Sequence, residues 1–173
     1  MDTIEHTFYN EAIKAFAFLE IEYGYRRSSD ISNEYVDWRD LQIDVVYLTS
    51  TIAINIFWIP TVSQVDVGFN ELPDKWTLQS TPVAYFDNYS ENNRGILLRM
   101  YTEMIGHSND PDFLLKNQDD HSGRAFAQRK RIIQKGVQPI IEGLARATRR
   151  YAGPILLGDT SMFTKVREYT HNR

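Results

Sequence analysis

The sequence predicts an α+β fold in which an antiparallel β-meander packs against an N-terminal helix and several C-terminal helices. Three observations lead to this prediction. Residues 1–23 carry apolar side chains at spacings of three and four, residues 40–70 alternate with a period of two, and residues 93–170 return mainly to helical spacing. A length of 173 residues fits one domain, so we predict a single domain over residues 1–173.

The composition is that of an ordered globular chain, with 42% hydrophobic and 24% charged residues. The chain has no cysteine, which excludes disulfides, thiolate metal sites, iron–sulfur clusters and cysteine nucleophiles. The acidic, polar N-terminus is unlike a secretory signal, and the longest apolar run, residues 52–60, is far shorter than the roughly 20 residues that span a bilayer. We therefore expect a cytoplasmic protein that makes no membrane contact.

The first helix is predicted over residues 3–23. Asp2 or Thr3 can cap its start, and Gly24 stands where a left-handed C-terminal cap is expected. Its apolar positions form one stripe that we expect to face the core: Ile4, Phe8, Ala12, Ala15, Phe16, Leu19 and Tyr23.

Three strands rich in β-branched and aromatic residues follow, at residues 41–48, 52–59 and 64–69. The connections between them, residues 49–51 and 60–63, are too short for a parallel crossover. The strands therefore pair antiparallel, and a further strand is expected near residues 83–86.

The second half is predicted to be mainly helical. One helix covers residues 93–105 and ends at Gly106, and a long helical stretch covers residues 122–151. Pro139 lies inside that stretch and predicts a kink or a break, because proline removes a backbone donor and clashes with the preceding turn. A last short helix follows, capped by Asp159 or Thr160.

The formal net charge of −4 conceals an uneven distribution along the chain. Up to Asn93 there are 15 acidic and 5 basic residues, and from Arg94 onward there are 14 basic and 8 acidic residues. Such asymmetry is typical of a surface that binds a charged partner. The alternative is that the two halves pack together and partly neutralise each other.

No complete catalytic template is present in the sequence: there is no phosphate-binding glycine loop, nucleophile elbow or His-Glu-x-x-His pair. Glu103 and His107 have the spacing of two ligands on one helical face, which is too few for a metal site. Asp119, Asp120 and His121 could serve a metal-dependent nuclease or other hydrolase. The structural alternative is that Asp120 caps a helix. We expect no enzyme activity and no cofactor.

The late helical region is rich in basic residues, which could contact phosphates or a protein partner. The pI of about 5.6 argues against a dedicated nucleic-acid binder, so no direct nucleic-acid contact is expected. The basic residues considered are Arg124, Arg129, Lys130, Arg131, Lys135, Arg146, Arg149 and Arg150.

Four short patterns in the chain look familiar: residues 18–25 (FLEIEYGY), 46–50 (VYLTS), 65–69 (VDVGF) and 151–163 (YAGPILLGDTSMF). Together they resemble small, cysteine-free bacterial immunity proteins, which neutralise the toxins of interbacterial competition. The resemblance implies a cytoplasmic, non-enzymatic protein that binds one cognate toxin domain, often a nuclease. Because this class has many folds, the resemblance transfers no site residues.

The acidic first half agrees with that implication, because many such toxins are basic and charge complementarity speeds association. Acidic and aromatic residues concentrate between Tyr23 and Asp44, in a region of loop character. The predicted partner contacts are Tyr25, Asp30, Glu34, Tyr35, Asp37, Trp38 and Asp40, with Glu20, Glu22, Tyr23 and Asp44 as further candidates. A homodimer is compatible with the sequence.

Overall fold

The computed structural model describes residues 4–28, 43–59, 64–72, 95–113 and 136–172. The described helices are α1 (Ile4–Ala15), α2 (Phe18–Tyr23), α3 (Leu98–Met104), α4 (Gln138–Tyr151), α5 (Gly153–Leu156) and α6 (Ser161–His171), with a 3-10 turn at Pro111–Phe113. The described strands are β1 (Arg26–Arg27), β2 (Ile43–Leu48), β3 (Ile52–Ile59), β4 (Gln64–Glu71) and β5 (Gly95–Leu97). The predicted strand at 83–86 and the helical stretch at 122–135 lie outside the described residues.

The five strands form one sheet in the order β1-β2-β3-β4-β5, and every neighbouring pair is antiparallel. This confirms the α+β prediction of a meander with a helix before it and helices after it. The sequence did not predict β1, and residues 95–97, predicted as helix, instead pair as β5 with residues 68–70 of β4.

The predicted apolar stripe of the first helix is confirmed at its centre, since Phe8, Ala12, Phe16 and Leu19 are fully buried. The helix is not continuous: α1 ends at Ala15, and α2 begins at Phe18. Gly24 ends α2 with a φ of 70°, and the Tyr25 N–H donates to the Leu19 carbonyl at 3.0 Å, as a left-handed cap requires.

The main core lies between one face of the sheet and helices α1 and α4. Alternate residues of β2, β3 and β4 point into it, and they join side chains from all the long helices in one hydrophobic cluster. The sheet residues are Ile43, Val45, Tyr47, Ile52, Ile54, Ile56, Trp58, Val65, Val67 and Phe69. The opposite face is also buried, but it mixes apolar residues with Asp44, Asn55, Asp66 and Asn70.

Of the kink or break predicted at Pro139, the structure shows a helix boundary, because residues 136–137 are not helical and α4 begins at Gln138. Pro139 lies in the first turn of α4, where its missing N–H would have no partner within the helix in any case. Gly136, with a φ of 77°, lies two residues before the first residue of α4. The capping oxygen of α6 comes from Asp159 and not from Thr160, because Oδ1 of Asp159 accepts a hydrogen bond from the Ser161 N–H at 3.0 Å.

Gly143 allows α4 to approach the 3-10 turn closely. A Cβ at this position would lie 2.5 Å from the carbonyl oxygen of Asp112. We expect Gly143→Ala to lower the free energy of unfolding by about 1–3 kcal/mol, because the backbone must shift although alanine favours helix. Gly153→Ala is the matched control, since its Cβ would meet nothing within 4 Å and should be neutral or slightly stabilising. Equal denaturation midpoints for the two variants would contradict the close approach.

Candidate functional site

The predicted partner-contact residues fall into two groups. Asp30, Glu34, Tyr35, Asp37, Trp38 and Asp40 belong to segment 29–42 and lie outside the described residues. Tyr25 is described and is only 3% exposed. Its hydroxyl donates to the Leu156 carbonyl at 3.3 Å, and burial raises its pKa to about 12. Tyr25 is thus a core residue of this chain and not the surface aromatic that a partner contact requires.

Segment 29–42 connects β1 to β2, so both of its ends are attached to the sheet. At one end the Ser28 N–H donates to the Val46 carbonyl at 2.8 Å. At the other end Ile43 pairs with Trp58 of β3.

Helix α2 presents two further candidate acids, Glu20 and Glu22, on its exposed side. Ile21 lies between them and is 81% exposed. Glu22 forms an ion pair with Arg149 of α4, whose guanidinium carbon also lies 5.3 Å from the centre of the Phe18 ring. Part of the acidic charge of the first half is therefore neutralised by the basic second half, as the alternative interpretation of the charge distribution expected.

The other described arginines of α4 are also engaged within the chain. Arg146 donates from Nε and Nη2 to Oδ1 of Asp112, at 3.0 and 2.8 Å. Arg150 donates to Asp110 Oδ2 at 2.6 Å and lies 3.1 Å from Asp112 Oδ2. The ion pairs attach the turn at 110–112 to α4 and occupy cations that the sequence offered for phosphate or partner contact.

Asp110 is the centre of this ion-pair cluster. Burial pushes the pKa of its carboxyl upward, but hydrogen bonds from the Tyr151 hydroxyl, the Asp112 N–H and Arg150 outweigh that effect and hold the pKa below its usual value. The same hydrogen bond to Asp110 raises the pKa of the Tyr151 hydroxyl. The geometry is that of a satisfied structural network.

The lowered pKa of Asp110 predicts how stability changes with pH. A depressed carboxyl pKa contributes stability above the unfolded value near 3.8, and this contribution is lost as the pH falls through the folded pKa. We expect Asp110→Asn to lower the denaturation midpoint at pH 7, and the difference from the unmodified chain to shrink below pH 4. Glu20→Gln, at an exposed carboxylate, is the control. A difference that stays constant from pH 7 to pH 3 would contradict this role of the ionised carboxyl.

His107 serves in packing in this structure. Its ring stacks on Tyr151 with centroids 4.6 Å apart, and its backbone N–H donates to the Thr102 carbonyl at 2.7 Å. Among the described residues no group of three or more histidine or acidic side chains could hold a metal ion. The alternative hydrolase residues Asp119, Asp120 and His121 lie outside the described ranges.

The buried polar strip on the second sheet face was not predicted as a site. Asn55 Nδ2 donates to Asp44 Oδ1 at 3.4 Å, and Asn55 Oδ1 lies against Gly68, where a Cβ could not fit. Asp66 Oδ1 accepts from the Val67 N–H at 2.8 Å, and its Oδ2 faces Arg99 of α3. The sequence held a signal for this strip, because β2 and β3 each carry one polar residue among apolar ones, Asp44 and Asn55, and β4 carries Asp66 and Asn70 on the same face.

Comparison of the chain with protein-family models, with curated proteins and with solved structures finds no match. Within the described ranges, no helix is both long enough and apolar enough to cross a membrane.

Proposed function

We infer that this protein is an immunity protein, which binds a cognate bacterial toxin domain of the nuclease class and neutralises it by protein–protein contact. In this proposal it acts in the cytoplasm, without enzyme activity or a cofactor. The predicted contacts are the acidic residues and aromatics of segment 29–42, while Tyr25 supports the scaffold from the core.

The observation that carries the proposal is the composition of segment 29–42, which connects β1 to β2. It combines four acidic residues, Asp30, Glu34, Asp37 and Asp40, with a single basic residue and with two aromatic candidates for anchors. The strands before and after it, β1 and β2, pair with each other in the sheet. Acidic residues favour fast encounter with a basic domain, and aromatic anchors slow its release.

The engagement of the α4 arginines supports a protein partner over a nucleic acid. Arg146, Arg149 and Arg150 each face a carboxylate of the chain. Binding a phosphate backbone would have to break these pairs, whereas nucleic-acid binding usually relies on several free cations.

Complex formation tests the proposal. The probe is the inactivated toxin domain encoded by the gene directly preceding this one, because immunity genes are expected to follow their toxin genes. Mixed at micromolar concentration, the two proteins should elute as one complex with the summed mass in size-exclusion chromatography with light scattering. An unrelated basic protein of equal net charge is the control for non-specific attraction. Separate elution of a folded chain and the toxin domain would contradict the proposal.

A further inference from the structure

Arg99 is held by a buried carboxylate and still has free donors. Its Nε lies 3.2 Å from Asp66 Oδ2, outside hydrogen-bond geometry. Asp66 has 6% of its side chain exposed, and its other oxygen is fixed by the Val67 N–H. The Arg99 side chain is 37% exposed although Nε is buried, so its exposed surface belongs to its other atoms. Among the described residues, neither Nη atom of Arg99 has a partner.

The α4 arginines differ from Arg99 in this respect. Each of them uses at least one Nη donor on a carboxylate of the chain, and Arg146 donates from both Nε and Nη2 to a single oxygen of Asp112. Arg99 is paired with Asp66 through Nε, and among the described residues its two terminal nitrogens are left to bind a ligand. A guanidinium held in this way is prepared for bidentate contact with a planar anion, at a small cost in side-chain entropy.

The geometry points to Arg99 as an anion-recognition residue that forms a bidentate contact with a carboxylate side chain of the partner protein. This assignment rests on the proposed function and names one specific contact within it. Asp66 is the positioning residue in this assignment, because its buried carboxylate forms an ion pair with the guanidinium.

The charges around Arg99 favour a carboxylate of a protein over a nucleic acid. Asp66 lies beside the guanidinium, and Asp44 is on the same sheet face two strands away, about 10 Å at the usual strand spacing. One guanidinium beside carboxylates suits a single anionic group, while a polyanion would be repelled by its surroundings.

Arg99 also lies at the end of the sheet where segment 29–42 enters β2. Asp66 pairs with Phe57, which pairs with Asp44, and Ile43 directly follows the segment. Arg99 and Ile43, the residue that follows the segment, therefore lie towards the same end of the sheet. The acidic segment would attract the basic domain as a whole, and Arg99 would fix its orientation through one carboxylate.

The test compares three variants of the full chain for binding to the inactivated toxin domain encoded by the preceding gene, measured by surface plasmon resonance. Arg99→Gln should raise Kd by about tenfold or more, mainly through faster dissociation, because a charge-assisted bidentate contact is lost. Arg99→Lys keeps a cation beside Asp66 and preserves the fold, yet it should still weaken binding, because lysine lacks the planar fork. Arg146→Gln is the matched control, an exposed arginine whose Nε and Nη2 already donate to Asp112 within the chain, and should bind as the unmodified chain does.

The outcomes separate this inference from the proposed function. If the unmodified chain binds and both Arg99 variants bind equally well with unchanged melting temperatures, the assignment of Arg99 is overturned and the proposed function stands. If the unmodified chain does not bind the toxin domain, the proposed function fails. If the chain instead binds RNA or DNA and Arg99→Gln abolishes that binding, the anion is a phosphate and the carboxylate assignment is wrong.

Discussion

Replacing Leu19 with alanine is expected to lower the free energy of unfolding by about 2–5 kcal/mol. Leu19 is fully buried in the main core, and its backbone carbonyl also accepts the capping hydrogen bond from Tyr25. Removing the side chain leaves a cavity in the main core, which the surrounding residues close only in part. Chemical denaturation monitored by tryptophan fluorescence measures the loss.

Ile21 in the same helix provides a matched control for this prediction. It is 81% exposed, so Ile21→Ala should change the free energy of unfolding by no more than about 0.5 kcal/mol. Because both variants remove a large aliphatic side chain from α2, helix propensity affects them similarly. Equal destabilisation by the two variants would show that the burial of Leu19 has been misassigned.

Reversing three acidic residues of the segment, Glu34, Asp37 and Asp40, to lysine is expected to slow association with the toxin domain by about tenfold or more at low salt. The change moves the formal net charge from −4 to +2 and turns attraction into repulsion. Dissociation should change less, because rim charges act mainly on the rate of encounter. Surface plasmon resonance at low and high salt measures both rates.

The control for the charge reversal replaces Glu11, Glu142 and Glu168 with lysine, which gives the same net charge at positions in described helices. If the position of the acidic residues determines the attraction, this control should retain most of the rate of association with the toxin domain. An association rate that is indifferent to salt and to the reversal in segment 29–42 would contradict contact through the acidic segment. Basic residues between Arg124 and Arg150 would then become the favoured contact surface.

The sequence predicted those helices and strands in which the buried side chains recur at the regular spacing of a helix or a strand. Phe8, Ala12, Phe16 and Leu19 lie on one helical stripe, and the alternation in residues 52–59 matches β3 along its whole length. Gly24 and Gly106 mark helix ends because both have a positive φ, which glycine adopts most easily.

The break between α1 and α2 could not be predicted in the same way. Phe16 and Phe18 are about 200° apart on a straight helix, yet both are buried. Both side chains can be buried only because α1 ends before Phe16. No glycine or proline at residues 16–17 marks that end in the sequence. Tertiary packing determines this boundary.

Long-range pairing explains the other differences. Ile96 and Leu97 fit a helical spacing with Met100 and Tyr101, but residues 95–97 pair with β4, far away in the chain. The Glu22–Arg149 ion pair joins residues 127 positions apart. Residue type and spacing along the chain do not specify which distant charges meet, so the sequence could indicate a charged surface but could not show that Arg99 lies beside Asp66.

The most direct test of the central claim is a titration of the active toxin domain, encoded by the preceding gene, with the purified chain. We expect its nuclease activity to fall linearly and to end near one equivalent of chain, as tight one-to-one binding requires. The chain alone should leave the same nucleic acid intact in the presence of Mg²⁺, Mn²⁺ or Zn²⁺. Undiminished nuclease activity at a tenfold excess of folded chain would contradict the immunity function.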